Sequence, residues 1–376
     1  MKVKMAREDL VKAVGRTLGV VDRRGTMPIL SHFLLQAGES HIMVAATDLE
    51  VSFRGFYTAE VEEMGAVALP ANYFFNLIKD MPGETLELTG TEQSRLQIQV
   101  GESRYQLLGL PGEQFPPIPE IEGGMMVALE STLLREMIDK TSFSVSGDDL
   151  QYHLSGIFWE RLETDGLYHL RLVSTDGHRL TLIQRPFPES ENFPLDEGII
   201  VPRKGVVEIT RLLSEEEKVH LALTRKSLAL KADDKYLFIR LLEKKFPDYR
   251  RIIPARFAFR FALNRKELLE VVRRISLLST ERFKGVVFNL GADMLEATFS
   301  NPEVGEGREV MPLTLEDGEE SGLPLRVAFN ARYLMEPLNA MESAVVLLGI
   351  NDPETPCKLW EKGDEDYFAI IMPWSL

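Results

Sequence analysis

The side chains best suited to catalysis are few, and they are poorly arranged for it. Asp176 and His178 flank Gly177, and a carboxylate beside an imidazole is the raw material of general acid–base chemistry. Residues two apart on a strand share a face, but a turn glycine between them removes that geometry. No Ser or Cys nucleophile motif accompanies the pair. Cys357 is the one cysteine, so neither an internal disulfide nor a multi-cysteine zinc site is expected. His32, His41, His153, His169 and His220 lack metal-ligand spacing, and Gly305-Glu306-Gly307 lacks the Lys-Ser/Thr of a phosphate loop. No metal and no cofactor are expected. An enzyme acting at Asp176 and His178 is one alternative reading, and a protein-only peptide-binding scaffold is another. The chemistry that recurs along the chain is cationic. Lys12, Arg16, Arg24, Arg203, Lys204, Arg273 and Arg274 all lie in or beside helical segments. Cations on one surface attract phosphates by counterion release, without reading bases.

The elements that must position these residues repeat three times. An amphipathic helix recurs at Arg7-Glu8-Asp9-Leu10-Val11, Ser131-Thr132-Leu133-Leu134-Arg135 and Arg265-Lys266-Glu267-Leu268-Leu269. A strand and turn recur at Ala46-Thr47-Asp48-Leu49-Glu50, Ser174-Thr175-Asp176-Gly177-His178 and Phe299-Ser300-Asn301-Pro302-Glu303. A strand end running into a second helix recurs at Leu69-Pro70-Ala71-Asn72, Val201-Pro202-Arg203-Lys204 and Phe329-Asn330-Ala331-Arg332. Closing strands begin at Tyr105, Tyr236 and Tyr367, each 131 residues after the last. A unit of about 125 residues is a domain, not a solenoid repeat. The chain therefore reads as three homologous domains, 1–122, 126–253 and 254–376. Proline-rich joints such as Phe115-Pro116-Pro117-Ile118-Pro119 and Phe246-Pro247-Asp248-Tyr249 close the first two. Within each unit the order strand, helix, three strands occurs twice, with the first helix expected from Arg7 to about Val21. Runs of adjacent strands favour antiparallel sheets, so the fold class is α+β.

Charge divides along the same lines. The 376 residues carry a net charge of −15, which excludes a uniformly basic coat. The helical segments 7–24, 71–80, 131–145, 203–214, 264–284 and 331–340 hold 18 basic and 11 acidic residues, against 25 and 47 in the remainder. In the first helix, Leu10, Val11, Val14, Leu18 and Val21 share one face and Lys12 and Arg16 the other. If the helices line one concave surface, they make a cationic lining on an anionic body. No apolar run approaches the roughly 20 residues of a membrane span, and the charged start has no signal-peptide core. The expected location is cytoplasmic.

Taken in order, Thr26-Met27-Pro28-Ile29-Leu30, Ala46-Thr47-Asp48-Leu49-Glu50, Thr175-Asp176-Gly177-His178-Arg179-Leu180, Val201-Pro202-Arg203-Lys204-Gly205, Phe246-Pro247-Asp248-Tyr249-Arg250-Arg251 and Ile371-Met372-Pro373 closely resemble the bacterial DNA polymerase III β subunit, the replicative sliding-clamp family. The resemblance implies a DNA-clamp fold and a head-to-tail homodimer, a closed ring of six similar domains with helices inside and sheets outside. Such a ring encircles duplex DNA without sequence specificity, tethers the replicative polymerase for processivity, and catalyses nothing itself. The resemblance also implies a pocket that takes short linear peptides from polymerases, the clamp loader and repair or translesion factors. Its matching positions are Leu154, Thr175, Gly177, His178, Arg179, Leu180, Pro247, Arg251, Ile252, Asn330, Tyr333, Ile370, Ile371, Met372, Pro373 and Trp374. Leu, Ile, Met and Pro would supply an apolar floor, and Arg179, Arg251 and Asn330 would orient the peptide's polar groups. The ending Trp374-Ser375-Leu376 departs from the family's common Met-Arg-Leu. For DNA, the resemblance points to Arg24 and Tyr152; Asp148, Gln151 and His153 differ in type from residues often found in that loop. The seam would join Tyr105, Leu107 and Leu108 of one chain to Leu277 and Leu278 of its partner. Leu277 falls on the polar side of its helix, where a partner explains a leucine better than a core does.

Overall fold

Six α-helices interrupt sheets in which every strand pair is antiparallel among the described residues. The computed structural model describes residues 1–22, 25–121, 125–191, 193–195, 197–224, 226–279 and 285–374. The helices are α1 (Arg7–Thr17), α2 (Ala71–Asp80), α3 (Ser131–Asp139), α4 (Arg203–Leu213), α5 (Arg265–Ser276) and α6 (Ala331–Ala340). Each follows a short strand directly, and three principal strands follow each helix. The strand, helix, three-strand order therefore occurs six times, as the sequence pattern requires.

The halves are interlocked. Lys2–Ala6, which opens the first half, pairs with Thr85–Thr91 of the second half, while Gly65–Pro70 of the second half pairs with His32–Ala37 of the first. The same exchange joins Met126–Glu130 to Lys218–Leu223 and Leu325–Asn330 to Gly285–Leu290. An opening strand hydrogen-bonded into the other half's sheet leaves neither half a complete ladder of its own.

Packing gathers the chain into two units, residues 1–132 with 204–241, and residues 133–203 with 242–376. These units cut across the repeats because sheets are completed between repeats. In the first unit, Val51–Thr58 pairs with Lys235–Arg240, which extends one sheet to nine strands from Leu110–Pro111 to Met126–Glu130. A five-stranded sheet, edged by Glu60–Glu63 and Ser103–Leu108, completes that unit. In the second unit, Arg179–Pro186 pairs with Asp364–Ile371 in a nine-stranded sheet, and a four-stranded sheet has Gly305–Pro312 and Leu325–Asn330 at its edges.

The helices bury most of the faces that their periodicity predicts, although Val11 and Leu18 of the first helical segment are only partly buried. In the first unit α1 packs on α2, with Leu10, Ala13 and Val14 buried on one and Phe74 and Ile78 on the other; Phe33 meets Phe74 at 5.2 Å. In the second unit α5 packs on α6 through Leu268, Val271, Val272 and Ile275. Arg7 and Arg265 hold equivalent places. Arg7 donates to the carbonyls of Lys79 (2.9 Å) and Gly83 (3.0 Å), and Arg265 to those of Leu338 and Ser343 (both 2.9 Å). Each guanidinium satisfies carbonyls at or just beyond the end of its partner helix, where intrahelical donors run out.

Two expectations change. The first helix ends at Thr17, short of Val21: Thr17 Oγ1 turns back to the Val14 carbonyl, and at Gly19 any Cβ would meet the Arg211 guanidinium. Val20 and Val21 are buried beyond the helix end. The short acidic strand Glu60–Glu63 was not expected, and it pairs with Lys2–Ala6 through Lys2–Glu62 among other contacts. The helices as formed hold 13 basic and 9 acidic residues, a smaller excess than the longer expected segments carried.

Candidate functional site

The pocket begins at a turn. In Thr175–Arg179 the Thr175 hydroxyl accepts the Gly177 N–H at 3.1 Å, and Asp176 Oδ1 accepts the N–H groups of His178 and Arg179 at 3.0 and 3.1 Å. Gly177 takes φ +87°, a conformation that costs glycine little. The turn is also held by the segment that follows the last strand. Met372 N–H donates to the His178 carbonyl at 2.9 Å, and Trp374 N–H donates to the Ala328 carbonyl at 2.8 Å. Asn330 caps α6 by accepting the Arg332 N–H at 3.0 Å. The result is a cavity of about 380 Å³ lined by His178, Asn330, Tyr333, Met372, Pro373 and Trp374.

The strands that lead into the cavity's turn and tail share a buried apolar cluster containing Leu154, Leu180 and Ile370, together with Val173, Phe246 and Tyr249. Ile371 and Thr175 are buried as well. Pro247, Arg251 and Ile252 are exposed on the segment that follows Phe246. That segment is anchored from below, by residues that sequence reasoning missed. The Tyr249 hydroxyl donates to Glu160 Oε1 and accepts from Arg171 Nη1 at 2.9 Å, while Arg250 Nη2 reaches Glu160 Oε2 at 2.7 Å. Burial, then the Glu160 carboxylate, pushes the Tyr249 phenol up to about 12.

The two arginines expected to orient peptide groups stand in different surroundings. Arg251 is exposed and tied to Asp248 at 2.8 Å. Arg179 is buried, with its guanidinium on Asp176 Oδ2 (3.0 Å), Glu336 Oε2 and the Phe143 carbonyl (2.5 Å), and 4.5 Å from the Tyr333 ring centroid. The partners Glu336 and Phe143 carry no sequence signal, because only the tertiary structure brings them to Arg179.

The same bonds weigh against catalysis at Asp176 and His178. The Asp176 carboxylate receives two backbone N–H groups and the Arg179 guanidinium, and its bond to His178 is to the backbone, not to the ring. Among the described residues no group of His, Cys, Asp and Glu could hold a metal ion.

The cations divide into free and engaged. Lys12, Arg203 and Arg273 are exposed, with no side-chain partner among the described residues. Arg16 is largely buried against Glu215 at 2.5 Å, Lys204 holds Asp48 and the Val20 carbonyl, and Arg274 is held by Glu309 at 2.5 and 2.6 Å. The bonds to Glu309 raise the Arg274 pKa, so it keeps its charge but shares it. Lys12 and Arg16 also border a cavity of about 570 Å³ in the first unit, with Asp9, Tyr57 and Lys235, which the sequence pattern does not announce. Tyr152 is 48% exposed in the short helix Asp149–Leu154, where Asp148 accepts the Leu150 N–H as its cap. Gln151 and His153 lie in the same turn and are partly buried. Arg24 lies outside the described residues.

Both expected seam surfaces are exposed edges. Ser103–Leu108 ends its sheet, with Tyr105 44% and Leu108 66% exposed and Leu107 partly so. In the second unit Gly305–Pro312 ends its sheet; beside it Leu277 caps α5 at 79% exposure, and Leu278 packs near Gly307.

Comparison with known proteins accounts for almost the whole chain. It matches the DNA polymerase III beta subunit family in three successive parts: the N-terminal domain over residues 1–119, the central domain over 128–248 and the C-terminal domain over 250–375. It is 32% identical to the beta sliding clamp of Vibrio cholerae and 33% to that of Pseudomonas putida, with all of each chain covered. Among solved structures, a beta sliding clamp of Caulobacter crescentus superimposes with a TM-score of 0.93 at 30% identity over the full length of both chains. A sliding clamp from Bartonella birtlesii bound to griselimycin does so with a TM-score of 0.93 at 29% identity, again over both chains in full.

Proposed function

Since the chain belongs to the DNA polymerase III beta subunit family and is a non-catalytic DNA sliding clamp of replication, we propose that two copies close head to tail into a ring around duplex DNA. The observation that carries this reading is two exposed sheet edges with apolar side chains at hand. Among the described residues Ser103–Leu108 in the first repeat and Gly305–Pro312 in the third each end a sheet, with Tyr105 and Leu108 exposed on the first and Val310 and the neighbouring Leu277 exposed at the second. An exposed, apolar edge is a template for another chain, and a heterologous contact that closes makes a ring. Tyr105, Leu107 and Leu108 then meet the partner's surface around Leu277 and Leu278.

The domains run 1–122, 126–253 and 254–376. Inside the ring, Lys12, Arg203 and Arg273 supply mobile contact with phosphates, and Arg24 and Tyr152 join them. Arg16, Lys204 and Arg274 contribute charge while held in ion pairs. Weak contact suffices because the closed ring, not affinity, retains the DNA. Partner proteins (the replicative polymerase, the clamp loader, and repair or translesion factors) insert short peptides into the pocket of Tyr333, Met372, Pro373 and Trp374 over Leu154, Leu180 and Ile370. Two aromatic side chains and an amide cap suit a ligand with apolar and polar groups in alternation. The protein acts in the cytoplasm; no helix among the described residues is long and apolar enough to cross a membrane.

The test is topological. The clamp is loaded on nicked circular DNA, which is then cut once. A ring is retained on the circle and lost from the new ends, whereas retention on the linear product would refute encirclement.

A further inference from the structure

The pocket turn has a near copy in the first unit, and the two copies differ at one decisive side chain. In Thr47–Val51 the Thr47 hydroxyl accepts the Leu49 N–H at 2.9 Å, and Asp48 Oδ1 accepts the N–H groups of Glu50 and Val51 at 2.9 and 2.7 Å. This is the bonding of Thr175–Arg179, and Leu49 takes φ +75° where Gly177 takes +87°. The strands that follow begin at Val51 and Arg179 and pair with Ile239 and Ile371, in the closing strand of the next repeat. The helices α4 and α6 each present a cation at their second residue, Lys204 or Arg332, and a glutamate at their sixth, Glu208 or Glu336.

Where the strand begins with Val51, the aspartate has no cation of its own. Lys204 Nζ crosses to Asp48 Oδ2, and Glu208 turns to Arg211 at 2.8 Å. At the next helix position Gly205 lies so close to Ile239 that a Cβ would approach it to 2.6 Å, so the helix lies against the sheet. Where the strand begins with Arg179, that guanidinium fills Asp176 Oδ2 and binds Glu336. Arg332 then bonds back to Glu336 at 2.9 Å and remains 71% exposed, although the Asp176 charge already acts on it. Tyr333, at the place of Gly205, lines the open cavity.

We propose that Arg179 is a positioning residue that holds the peptide groove open: by occupying Asp176 and Glu336 it keeps Arg332 from crossing the groove as Lys204 crosses to Asp48. The proposal rests on the reading of this cavity as a peptide groove. It gives Arg179 a role without contact to the peptide, through the charge balance of the turn and the face of Tyr333.

The experiment uses the full-length protein and a labelled peptide copying the C-terminal tail of the replicative polymerase, with affinity read by fluorescence anisotropy. Arg179→Val should weaken binding about tenfold or more, and Arg179→Val with Arg332→Ala should return it to within about threefold of wild type. A crystal structure of Arg179→Val should find the Arg332 guanidinium within hydrogen-bond distance of Asp176 Oδ2. If Arg179→Val does not fold, Arg179→Met empties Asp176 and Glu336 of the guanidinium while filling more of the buried volume, and its loss of affinity should likewise be reversed by Arg332→Ala. A double variant no better than its single parent overturns the proposal, as does Arg332 still resting on Glu336 in the Arg179→Val structure. If the wild type itself does not bind the peptide, the groove reading fails instead.

Discussion

Single side chains settle questions here that helices and sheets leave open. Tyr249 anchors the pocket's connecting segment through a neutral phenol whose proton is held up to about 12, against about 10 for an unfolded tyrosine. A raised folded pKa contributes stability that is complete below the unfolded value and lost as pH climbs through the folded one. Alkaline unfolding should therefore steepen between pH ~10 and ~12 in the wild type and flatten in Tyr249→Phe; parallel curves would show that the proton is not held. Arg7 and Arg265 test the repeat at the same scale. Each bonds two carbonyls at or beyond the end of a helix, and a hydrogen bond of this kind contributes about 0.5–1.5 kcal/mol net. Arg7→Ala and Arg265→Ala should lower stability to denaturant by similar amounts of that order, with no change in the oligomer. These two arginines were legible as helix starts, but not as donors to carbonyls more than seventy residues away in sequence.

Among the elements, the opening strands and the sheet edges carry the consequences. The exchange of opening strands between halves joins the two halves of the first and third repeats by strand pairing, which agrees with repeats of whole domains rather than independent half-units. The edges do the opposite, leaving ladder groups for another chain. A charge at an apolar edge opposes such pairing. Leu108→Asp or Leu277→Asp should shift sedimentation from dimer toward monomer at micromolar protein while the far-UV spectrum stays native; dimer of undiminished stability in both variants would remove these edges from the seam. The helical pattern announced the exposure of Leu277, since it stood opposite Leu268. The strand Glu60–Glu63 was illegible, because four residues dominated by glutamate offer no apolar alternation and depend on Lys2–Ala6 for a partner.

For the whole molecule, the balance of charge decides how it can hold DNA. A chain of net charge −15 cannot depend on tight, general attraction to phosphates. Lys12, Arg203 and Arg273 are free cations among the described residues, whereas Arg16, Lys204 and Arg274 are paired. Replacing the three free ones by alanine should flatten the dependence of log K on log salt by about 0.9 for each phosphate that is no longer neutralised, measured by loading at several salt concentrations. Retention on closed circles, once loaded, should persist. Loss of retention from circles would mean that affinity, not topology, holds the clamp in place.

The sequence by itself determined the threefold repeat, the strand, helix, three-strand order within each half, the antiparallel class and the apolar helix faces, because these follow from periodicities and turns that act over a few residues. Only the tertiary structure decided which strands complete which sheets, which cations remain free and what Arg179 touches. The ion pairs that decided these roles join residues such as Arg179 and Glu336, 157 positions apart, or Arg16 and Glu215, 199 apart. A charged side chain's role is set by whichever opposite charge the fold brings within reach, and local pattern holds no record of that partner.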